Sequence, residues 1–329
     1  MKISVIIVTL NRPDCVRRCL DCLFNQSPRP EQIIVVDASS DDRTRQAVGE
    51  FPGVAYLRND NGYGRMTASR NIGLKAATGE IIAFLDDDAF AYPGWLENVR
   101  VTYTDETIGA VGGRALNNQP GEEVLGVNEI GRLKPNGLLT GYFAADPGGV
   151  IEVDHVMGCN MSFRRGVVAQ LGGFREDYPG ISGVREDSDM CLRVKALGYK
   201  ILFNPAACVD HIGAPQAKGQ RFDTRYAYYG QRNHLVLLIR NFGIGNALVW
   251  RYLGYSLWHY GIFEFIKRVG AAASRLAVTL IGSFQGIFTG LNLLIRYGSN
   301  PIRHDAHGQE VTEHLQRDPT AQVEDAMKV

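Results

Sequence analysis

The N-terminal part of the chain alternates short, apolar, β-branched runs with amphipathic helical patterns. The predicted strands cover Ile3–Thr9, Gln32–Asp37, Val54–Arg58 and Glu80–Asp86. The predicted helices between them cover Asp14–Asn25, Asp41–Glu50 and Thr67–Ala77. Strands that are apolar on both faces and alternate with helices form a mostly parallel sheet with helices on both sides. The pattern therefore predicts an α/β fold built on a mostly parallel, Rossmann-like sheet.

The following part of the chain predicts further elements around a loop-rich segment. Pro93 is expected to open a helix, and the segments "GAVGGRAL" and "VDHVMGCNMSFRR" each predict one strand. The Gly- and Pro-rich segment 117–149 between them is expected to be a lid or a substrate-facing insertion. Gly172-Gly173 and Gly198 are expected to end two helices. The segment "KILFNPAACVDHIG" predicts the last strand of this part.

The net charge of the chain is zero, but the charge is segregated along it. Residues 218–303 hold eleven Lys or Arg against two acids, whereas residues 304–329 hold two against six. A neutral chain is not a general polyanion binder, so no nucleic-acid partner is expected. We expect an α/β domain at 1–225, an apolar and basic helical region at 226–303, and an acidic, flexible tail at 304–329.

Residues 276–295 form a run of twenty uncharged residues between two arginines. The run is long enough to span a bilayer, but it contains polar residues and three glycines. The flanking basic residues favour a helix that lies on an anionic membrane surface, while a spanning helix and ordinary packing in a soluble protein stay open. Because no signal peptide is predicted and the six cysteines lack regular pairing, we expect a cytoplasmic protein at the inner face of the cell membrane.

Acidic side chains follow two of the predicted parallel strands. Asp37 ends the second strand, and Asp86, Asp87 and Asp88 follow the run "EIIAFL". The carboxyl ends of parallel strands meet at one crevice, where ligands bind. Three adjacent carboxylates repel one another, and a divalent cation such as Mg²⁺ or Mn²⁺ relieves this repulsion and also binds diphosphate. A solvated acidic turn is the alternative interpretation.

Four other residues are candidates for the same site, each with a simpler alternative. Arg70 could contact a diphosphate or form a surface salt bridge. Glu186 and Asp187 precede a predicted helix, so a carboxylate there could be an N-cap or a general base. His211 could be a third metal ligand or a residue that is only hydrogen-bonded.

Taken in order, several segments resemble the inverting glycosyltransferases of family 2, whose catalytic domain has the GT-A fold. The resemblance covers roughly residues 2–240. It rests on the segments "SVIIVTLNRP", "IIVVDASSDD", "SRNIGLKAATGEIIAFLDDDA", "GCNMSFRR", "LGGFRED", "REDSDMCLRV", "VDHIG" and "YYGQRNHLVLLIRNF". It implies that residues 1–225 are a GT-A catalytic domain.

The resemblance also implies roles for individual donor-binding residues. Asp37 would contact the nucleoside base, with Thr9 and Asn11 in the same pocket. Asp86 and Asp88 would form the Asp-x-Asp motif of the family, with Asp88 as the direct metal ligand. Asp87 would lie near the ribose.

For catalysis, the resemblance implies that His211 completes the metal site and that Asp187 removes the acceptor proton, with Glu186 assisting. The implied reaction transfers a hexosyl or deoxyhexosyl group, with inversion, from a nucleotide-sugar donor to a hydroxyl group. The acceptor would be a saccharide or a lipid-linked molecule in cell-surface polysaccharide or glycolipid synthesis.

Two rival functions are considered. Cys15, Cys19 and Cys22 have the C-x3-C-x2-C spacing of radical S-adenosylmethionine enzymes, which hold an iron–sulfur cluster. The same three residues share one face of a predicted helix, where small buried hydrophobic residues explain them more simply. The second rival is an inactive, membrane-docked scaffold, and the joint presence of Asp88, Asp187 and His211 argues against it.

Overall fold

The structure, a computed structural model, describes residues 1–60, 66–117, 121–178, 184–213, 224–263, 272–299 and 302–303. The strands are β1 (Ile3–Thr9), β2 (Gln32–Asp37), β3 (Val54–Arg58), β4 (Ile81–Asp86), β5 (Ala89–Ala91), β6 (Ile108–Leu116), β7 (Ile151–Val153), β8 (Asn160–Arg164) and β9 (Lys200–His211). The predicted acidic tail 304–329 lies outside the described residues.

The helices alternate with the strands and then follow them. They are α1 (Pro13–Phe24), α2 (Arg43–Gly49), α3 (Met66–Ala76), α4 (Trp95–Thr102), α5 (Arg165–Leu171), α6 (Glu186–Ala196), α7 (Thr224–Phe242), α8 (Ala247–Ser256) and α9 (Ala272–Tyr297). A short 3₁₀ helix covers Val127–Glu129, and a π-helical segment, Leu257–Phe263, continues α8. The α/β fold class is confirmed, while the predicted boundary at residue 225 stays a prediction.

The nine strands of the described residues form one sheet in the order β3-β2-β1-β4-β8-β6-β9-β5, with β7 also paired to β9. The first four strands are parallel, as the sequence predicts. The second half of the sheet is mixed, because β8 runs antiparallel to both β4 and β6 while β6 and β9 run parallel. The parallel half brings the carboxyl ends of β1, β2 and β4 to one edge.

The single strand predicted over "VDHVMGCNMSFRR" is wrong. β7 ends at Val153 and β8 begins at Asn160, and the residues between them leave the sheet. Their backbone groups bind elsewhere: the amides of Asp154 and His155 both donate to the carbonyl of Gly131, and the Gly158 amide donates to Asp187. The excursion places Gly158 beside the predicted catalytic carboxylate.

Hydrophobic cores lie on both faces of the sheet. Ile3, Val5 and Ile7 of β1 face one core, which α1 and α4 cover, while Ile6 and Val8 face the other, which α3, α5 and α6 cover. A strand buried on both faces is apolar almost throughout, which explains the apolar run at residues 5–8, while the buried hydroxyl of Ser4 donates to Gln32.

Helix α9 packs against α7 through small residues together with Ile287 and Leu294, and it turns other large apolar residues outward. A methyl group on Gly286 would lie 2.8 Å from the carbonyl oxygen of Arg232, and one on Gly290 would lie 2.9 Å from Ile239 Cδ1. The exposed large apolar side chains of α9 are Leu280, Ile281, Phe284, Phe288 and Ile295. By length and composition, Arg275–Tyr297 is a candidate membrane span. It is a candidate membrane-facing surface of the protein.

The chain after α9 returns to the α/β part. The backbone amide of Arg303 donates to the carbonyl of Leu171, and its guanidinium binds Glu176 at 2.8 Å. Glu176 also accepts a hydrogen bond from Asn71 of α3 at 2.6 Å. The end of the helical region is therefore joined to the helix that carries Arg70.

Candidate active site

Asp86, Asp88 and His211 meet beyond the end of β4. β4 ends at Asp86, the chain turns at Asp87 and Asp88, and β5 then pairs antiparallel with β9, with Ala89 opposite His211. One potential ligand atom from each of the three residues lies within 4.8 Å of the other two. The predicted metal-ligand set is thus brought together by strand register, and two oxygen ligands with one imidazole suit Mn²⁺ or Mg²⁺.

The three acids of this turn have different surroundings. Asp88 lies 3.4 Å from His211 Nε2, and Asp86 is partly exposed. Asp87 is turned inward, where it accepts hydrogen bonds from Thr9 Oγ1 at 2.7 Å and from Arg12 Nη1 at 2.8 Å. Burial raises the pKa of Asp87 to about 7 although Arg12 opposes the rise. Thr9 therefore supports the turn.

The charge on His211 responds to the carboxylates around it. Burial disfavours the charged ring, but Cys159 and the carboxylates of Asp88 and Asp86 outweigh it and raise the pKa of His211. A proton on the imidazole thus offsets part of the repulsion between the acids. The negative charge of the same carboxylates also attracts a divalent cation.

A cavity of about 300 Å³ lies beyond the ends of β1 and β2. It is lined by Leu10, Asn11, Ala38, Ser39, Ser40, Arg58, Asn59 and Asp60. Asn11 is in the left-handed region at φ +56°, and its side-chain oxygen accepts from the Ser40 amide at 3.1 Å. Asn11 lines this cavity and Thr9 does not, and the predicted nucleoside contacts of both residues stay predictions.

Asp37 lies behind this cavity. Its side chain is fully buried and accepts hydrogen bonds from the Ser39 amide at 2.8 Å and the Tyr56 hydroxyl at 2.8 Å. The guanidinium of Arg58, which lines the cavity, lies 3.5 Å from the same carboxylate. This geometry favours a role of Asp37 in positioning the pocket wall, and its predicted contact with a base stays a prediction.

Arg70 joins the carboxylate turn to the start of α6. It is 1% exposed, with Nη1 3.0 Å from Glu186 Oε1 and Nη2 3.4 Å from Asp86 Oδ1. The alternative of a surface salt bridge is therefore wrong. The geometry favours a positioning role for Arg70 over direct contact with a diphosphate, which stays a prediction. Burial and the neighbouring Asp187 raise the pKa of Glu186 to about 8, so Glu186 can carry a proton at neutral pH.

Asp187 lies in the first turn of α6, because the N-cap position belongs to Arg185. Its Oδ2 accepts from the Gly158 amide at 2.9 Å, and its Oδ1 accepts from the Ser188 amide. The Ser188 hydroxyl lies 3.2 Å from His155 Nδ1, and His155 Nε2 lies 2.8 Å from the carbonyl of Thr140. The carboxylate is thus held from two sides.

His155 belongs to the buried support of Asp187. Burial lowers the pKa of His155 to about 4, although Asp187 opposes the fall. The ring is therefore neutral at pH 7, donates from Nε2 to Thr140 and accepts from the Ser188 hydroxyl at Nδ1. Ser188 then reaches Asp187 through its backbone amide.

Sequence reasoning missed several residues of the site. Arg12 binds the acids of the turn, Arg58 and Tyr56 cover Asp37, and Gly158 donates to Asp187. Arg12 and Gly158 lie inside the segments "LNRP" and "GCNMSFRR" that carry the family resemblance. Their position in these segments could have identified them as site residues. No comparable signal marks Tyr56, because its role depends on the pairing of β2 with β3.

Cys19, the middle of the three cysteines of α1, lies in the hydrophobic core. Cys19 is fully buried in the core, and its Sγ lies 3.6 Å from the carbonyl of Ala89. Burial raises its pKa well above the usual value, so its thiol stays protonated. A buried thiol packed in this way does not hold an iron–sulfur cluster, and the radical-enzyme alternative is not supported.

A match to "Glycosyl transferase family 2" covers residues 4–172, about half of the chain. The chain belongs to this family. A glucosyl-dolichyl phosphate glucuronosyltransferase of Haloferax volcanii is 28% identical to this family 2 glycosyltransferase over 229 residues, 64% of this chain and 69% of the relative. An O-antigen chain rhamnosyltransferase of Salmonella typhimurium is 26% identical over 229 residues, 68% of this chain and 71% of that protein.

A solved structure has the same fold as this family 2 glycosyltransferase. A mannosyltransferase from Pyrobaculum calidifontis, in complex with GDP-Man and Mn²⁺, has a TM-score of 0.54 and 18% identity. The similarity covers 99% of this chain and 87% of that one. The GT-A fold predicted from the resemblance is confirmed.

Proposed function

We propose that this enzyme is a metal-dependent, inverting glycosyltransferase that uses Asp187 as its general base. One observation carries the proposal: Arg70 contacts both Asp86 and Glu186 and so holds the metal-ligand group beside the start of α6. A nucleophile activated by Asp187 would therefore lie close to a diphosphate at Asp86, Asp88 and His211. The inactive scaffold is disfavoured, because each of these groups is positioned by buried contacts.

The metal would be held by Asp88, Asp86 and His211. The donor set fits a divalent cation, since it gathers two carboxylates and an imidazole on one side of the turn. When bound, the cation would act as a Lewis acid toward the leaving diphosphate. Arg12 compensates Asp87 and Asp88 from the protein side, so that the turn is stable before the donor arrives.

Asp187 would take the proton of the acceptor hydroxyl while the oxygen attacks the anomeric carbon from the face opposite the diphosphate. A single displacement of this kind inverts the anomeric centre. Glu186 can carry a proton at neutral pH and contacts Arg70, so it would orient its neighbour and not compete as a base. Hydrogen bonds from Gly158 and Ser188 would keep Asp187 aimed at the acceptor.

The donor would be a nucleoside-diphosphate sugar whose nucleoside part occupies the cavity beside Asn11 and Arg58. The relatives point to an acceptor class, because one acts on a dolichyl phosphate-linked sugar and one on O-antigen. We propose a saccharide or lipid-linked acceptor in cell-surface glycan synthesis. A hexosyl or deoxyhexosyl group fits this class.

The acceptor class agrees with the surface of α9. Its exposed stripe places Phe284 and Phe288 on the outside with only arginines as charged residues of the helix. We propose that α9 lies on the inner face of the cell membrane, where apolar side chains enter the lipid and basic residues meet anionic headgroups. The catalytic site would then face the cytoplasm.

Calorimetric binding of UDP, dTDP and GDP, each with and without Mn²⁺, tests the proposed function. We expect one nucleotide to bind in the presence of Mn²⁺ and to lose at least tenfold in affinity without it. The Asp88→Asn variant should lose the metal dependence, while Asp14→Asn, a surface substitution on α1, should keep it. Absence of metal-dependent binding of any of the three nucleotides to the wild type would contradict the proposal.

A further inference from the structure

Arg12 connects the cavity beside Asn11 to the carboxylate turn. It follows Asn11, which lines the cavity, and it precedes Pro13, the first residue of α1. Its guanidinium reaches the turn, where Nη1 lies 2.8 Å from Asp87 Oδ1 and 3.3 Å from Asp88 Oδ2. Two consecutive residues of the connection between β1 and α1 therefore contact both places that the proposed donor would occupy.

The position of Arg12 follows from strand pairing. β1 and β4 are adjacent and parallel, with Val8 opposite Asp86, so the residues that follow these two strands meet beyond one edge of the sheet. β2 pairs with β1 on its other side, and the cavity lies beyond the ends of β1 and β2. The connection that carries Arg12 thus has the cavity on one side and the carboxylate turn on the other.

Arg12 is also accessible from solvent. Both of its contacts with the turn use Nη1, and its side chain is 25% exposed. A guanidinium has five N–H groups, so Arg12 can donate to a ligand while it keeps its contact with the turn. Arg70, the other arginine beside the turn, is 1% exposed and contacts the carboxylates of Asp86 and Glu186. Of these two arginines, Arg12 is therefore the one that a diphosphate can reach from solvent.

The charges around the turn favour an anion beside Arg12. A divalent cation at Asp86, Asp88 and His211 would share the carboxylate of Asp88 with Arg12, and the two positive charges would repel each other. A diphosphate between them would relieve the repulsion, because each cation then faces negative charge. Asp87 is buried and lies 2.8 Å from Arg12, so it would hold the guanidinium in place when Asp88 binds the cation.

We infer that Arg12 binds the diphosphate of the nucleotide-sugar donor and that Asp87 positions its guanidinium for this contact. The inference rests on the proposed function and adds a donor-binding residue to it. A guanidinium forms paired hydrogen bonds with phosphate oxygens, which the ammonium group of a lysine does not. The alternative is that Arg12 is only a counter-ion of the turn, in which case its loss should weaken the binding of the metal as well as that of the nucleotide.

The test measures calorimetric binding of three kinds of ligand to the full chain: Mn²⁺ alone, UDP, dTDP and GDP with Mn²⁺, and the corresponding nucleosides with Mn²⁺. The variants are Arg12→Gln and Arg12→Lys. Arg12→Lys keeps the positive charge beside the turn, so it carries the test if thermal denaturation shows that Arg12→Gln is unfolded. Arg17→Gln is the matched control, because Arg17 lies on α1 and also bridges two acids, Asp14 and Glu50.

We expect Arg12→Gln to weaken the binding of the nucleoside diphosphate about tenfold or more, and Arg12→Lys about threefold or more. Mn²⁺ alone should bind Arg12→Gln at least as tightly as the wild type, because a competing cation is removed from Asp88. The affinity for the nucleoside should stay unchanged, and Arg17→Gln should change none of the three affinities.

Two results would overturn the inference. One is an unchanged affinity of the Arg12 variants for the nucleoside diphosphate. The other is an equal loss of affinity for Mn²⁺ alone or for the nucleoside, which would assign Arg12 to the support of the turn or of the cavity. A wild type that binds no nucleoside diphosphate with Mn²⁺ would overturn the proposed function and, with it, the inference.

Discussion

Strand β1 and helix α9 place their large apolar side chains differently. β1 buries a branched apolar residue at nearly every position, and the polar groups of its half of the sheet gather where the strands end. α9 buries small residues such as Gly286 and Gly290 and exposes large ones such as Phe284. The first pattern is stable in water because it removes apolar surface, whereas the second leaves that surface for another apolar phase.

The contrast also separates the titratable groups. The carboxylates and histidines of the proposed site lie around the sheet, while α9 contains two arginines and no Asp, Glu or His. We therefore expect residues around the sheet to determine catalysis and its pH dependence. We expect α9 to determine attachment to a lipid surface. Four changes test this separation.

Removal of one metal-ligand carboxylate should have the largest effect. Asp88→Asn keeps the shape of the side chain and removes the charge that faces His211. We expect turnover to fall by about 100- to 1,000-fold, the usual loss for a key electrostatic group. Steady-state kinetics measure it, with Asp14→Asn as the control. Full activity of Asp88→Asn would remove Asp88 from the metal site.

Acid should destabilise the sheet region through His155. Above pH 6.5 the ring is neutral in both folded and unfolded chains; between 6.5 and about 4 only the unfolded chain takes up the proton. The contribution of His155 to stability should therefore fall by about 3 kcal/mol across this range and level off below it. The raised pKa values of Asp87 and Glu186 act in the opposite direction, so the contribution of His155 is the difference between the wild type and His155→Gln. Urea denaturation of both proteins at several pH values measures this difference. A difference that does not change with pH would contradict the role of His155.

Polar substitutions on the exposed face of α9 should affect attachment and leave the fold intact. Phe284→Ser combined with Phe288→Ser should lower partition onto anionic vesicles about 30-fold, roughly 1 kcal/mol for each ring. Co-sedimentation measures the partition. The melting temperature should stay unchanged, whereas Ile6→Ser in β1 should unfold the protein. Unchanged partition of the double variant would show that α9 does not face lipid.

A small change beside Asp187 should have the mildest effect on catalysis. A methyl group on Gly158 would lie 3.0 Å from Arg70 Nη2 and 3.3 Å from Asp187 Oδ2, so the base would have to shift. We expect Gly158→Ala to lower kcat about tenfold, as for a small misplacement of a catalytic group. Gly166→Ala is the control, because no atom lies within 4 Å of its added methyl group. Equal kcat values for both variants would contradict the proposed role of Asp187.

The parallel half of the sheet was predictable because its signal is local. β1, β2 and β3 have the predicted bounds, and β4 starts one residue later than predicted. β1, β2 and β4 are buried on both faces and almost entirely apolar, which makes them visible in the sequence. The segment "VDHVMGCNMSFRR" has a similar apolar composition, but several of its backbone amides donate to Gly131 and Asp187 and not to a neighbouring strand. Neither acceptor is near this segment in sequence, so the break between β7 and β8 was not predictable from the segment alone.

The candidate site shows the same limit. The acids at the ends of β2 and β4 and the histidine at the end of β9 follow from strand ends, and the structure gathers Asp86, Asp88 and His211. The supports of these residues, such as Arg12 for Asp87 or Gly158 for Asp187, lie far from them in sequence. The outward face of α9 was likewise not predictable, because its composition predicts an apolar helix but does not show which side packs on α7.

Arg303 gives the helical region a second attachment to the α/β part. A helix attached to the catalytic domain at one end only would let the domain change its orientation above a lipid surface. α7 packs along α9, and Arg303 binds Leu171 and Glu176, so the helical region contacts the α/β part at more than one place. With α9 on a bilayer as proposed, these contacts would set the height and tilt of the proposed active site above the lipid. Acceptors would then be selected by the distance of their hydroxyl groups from the lipid.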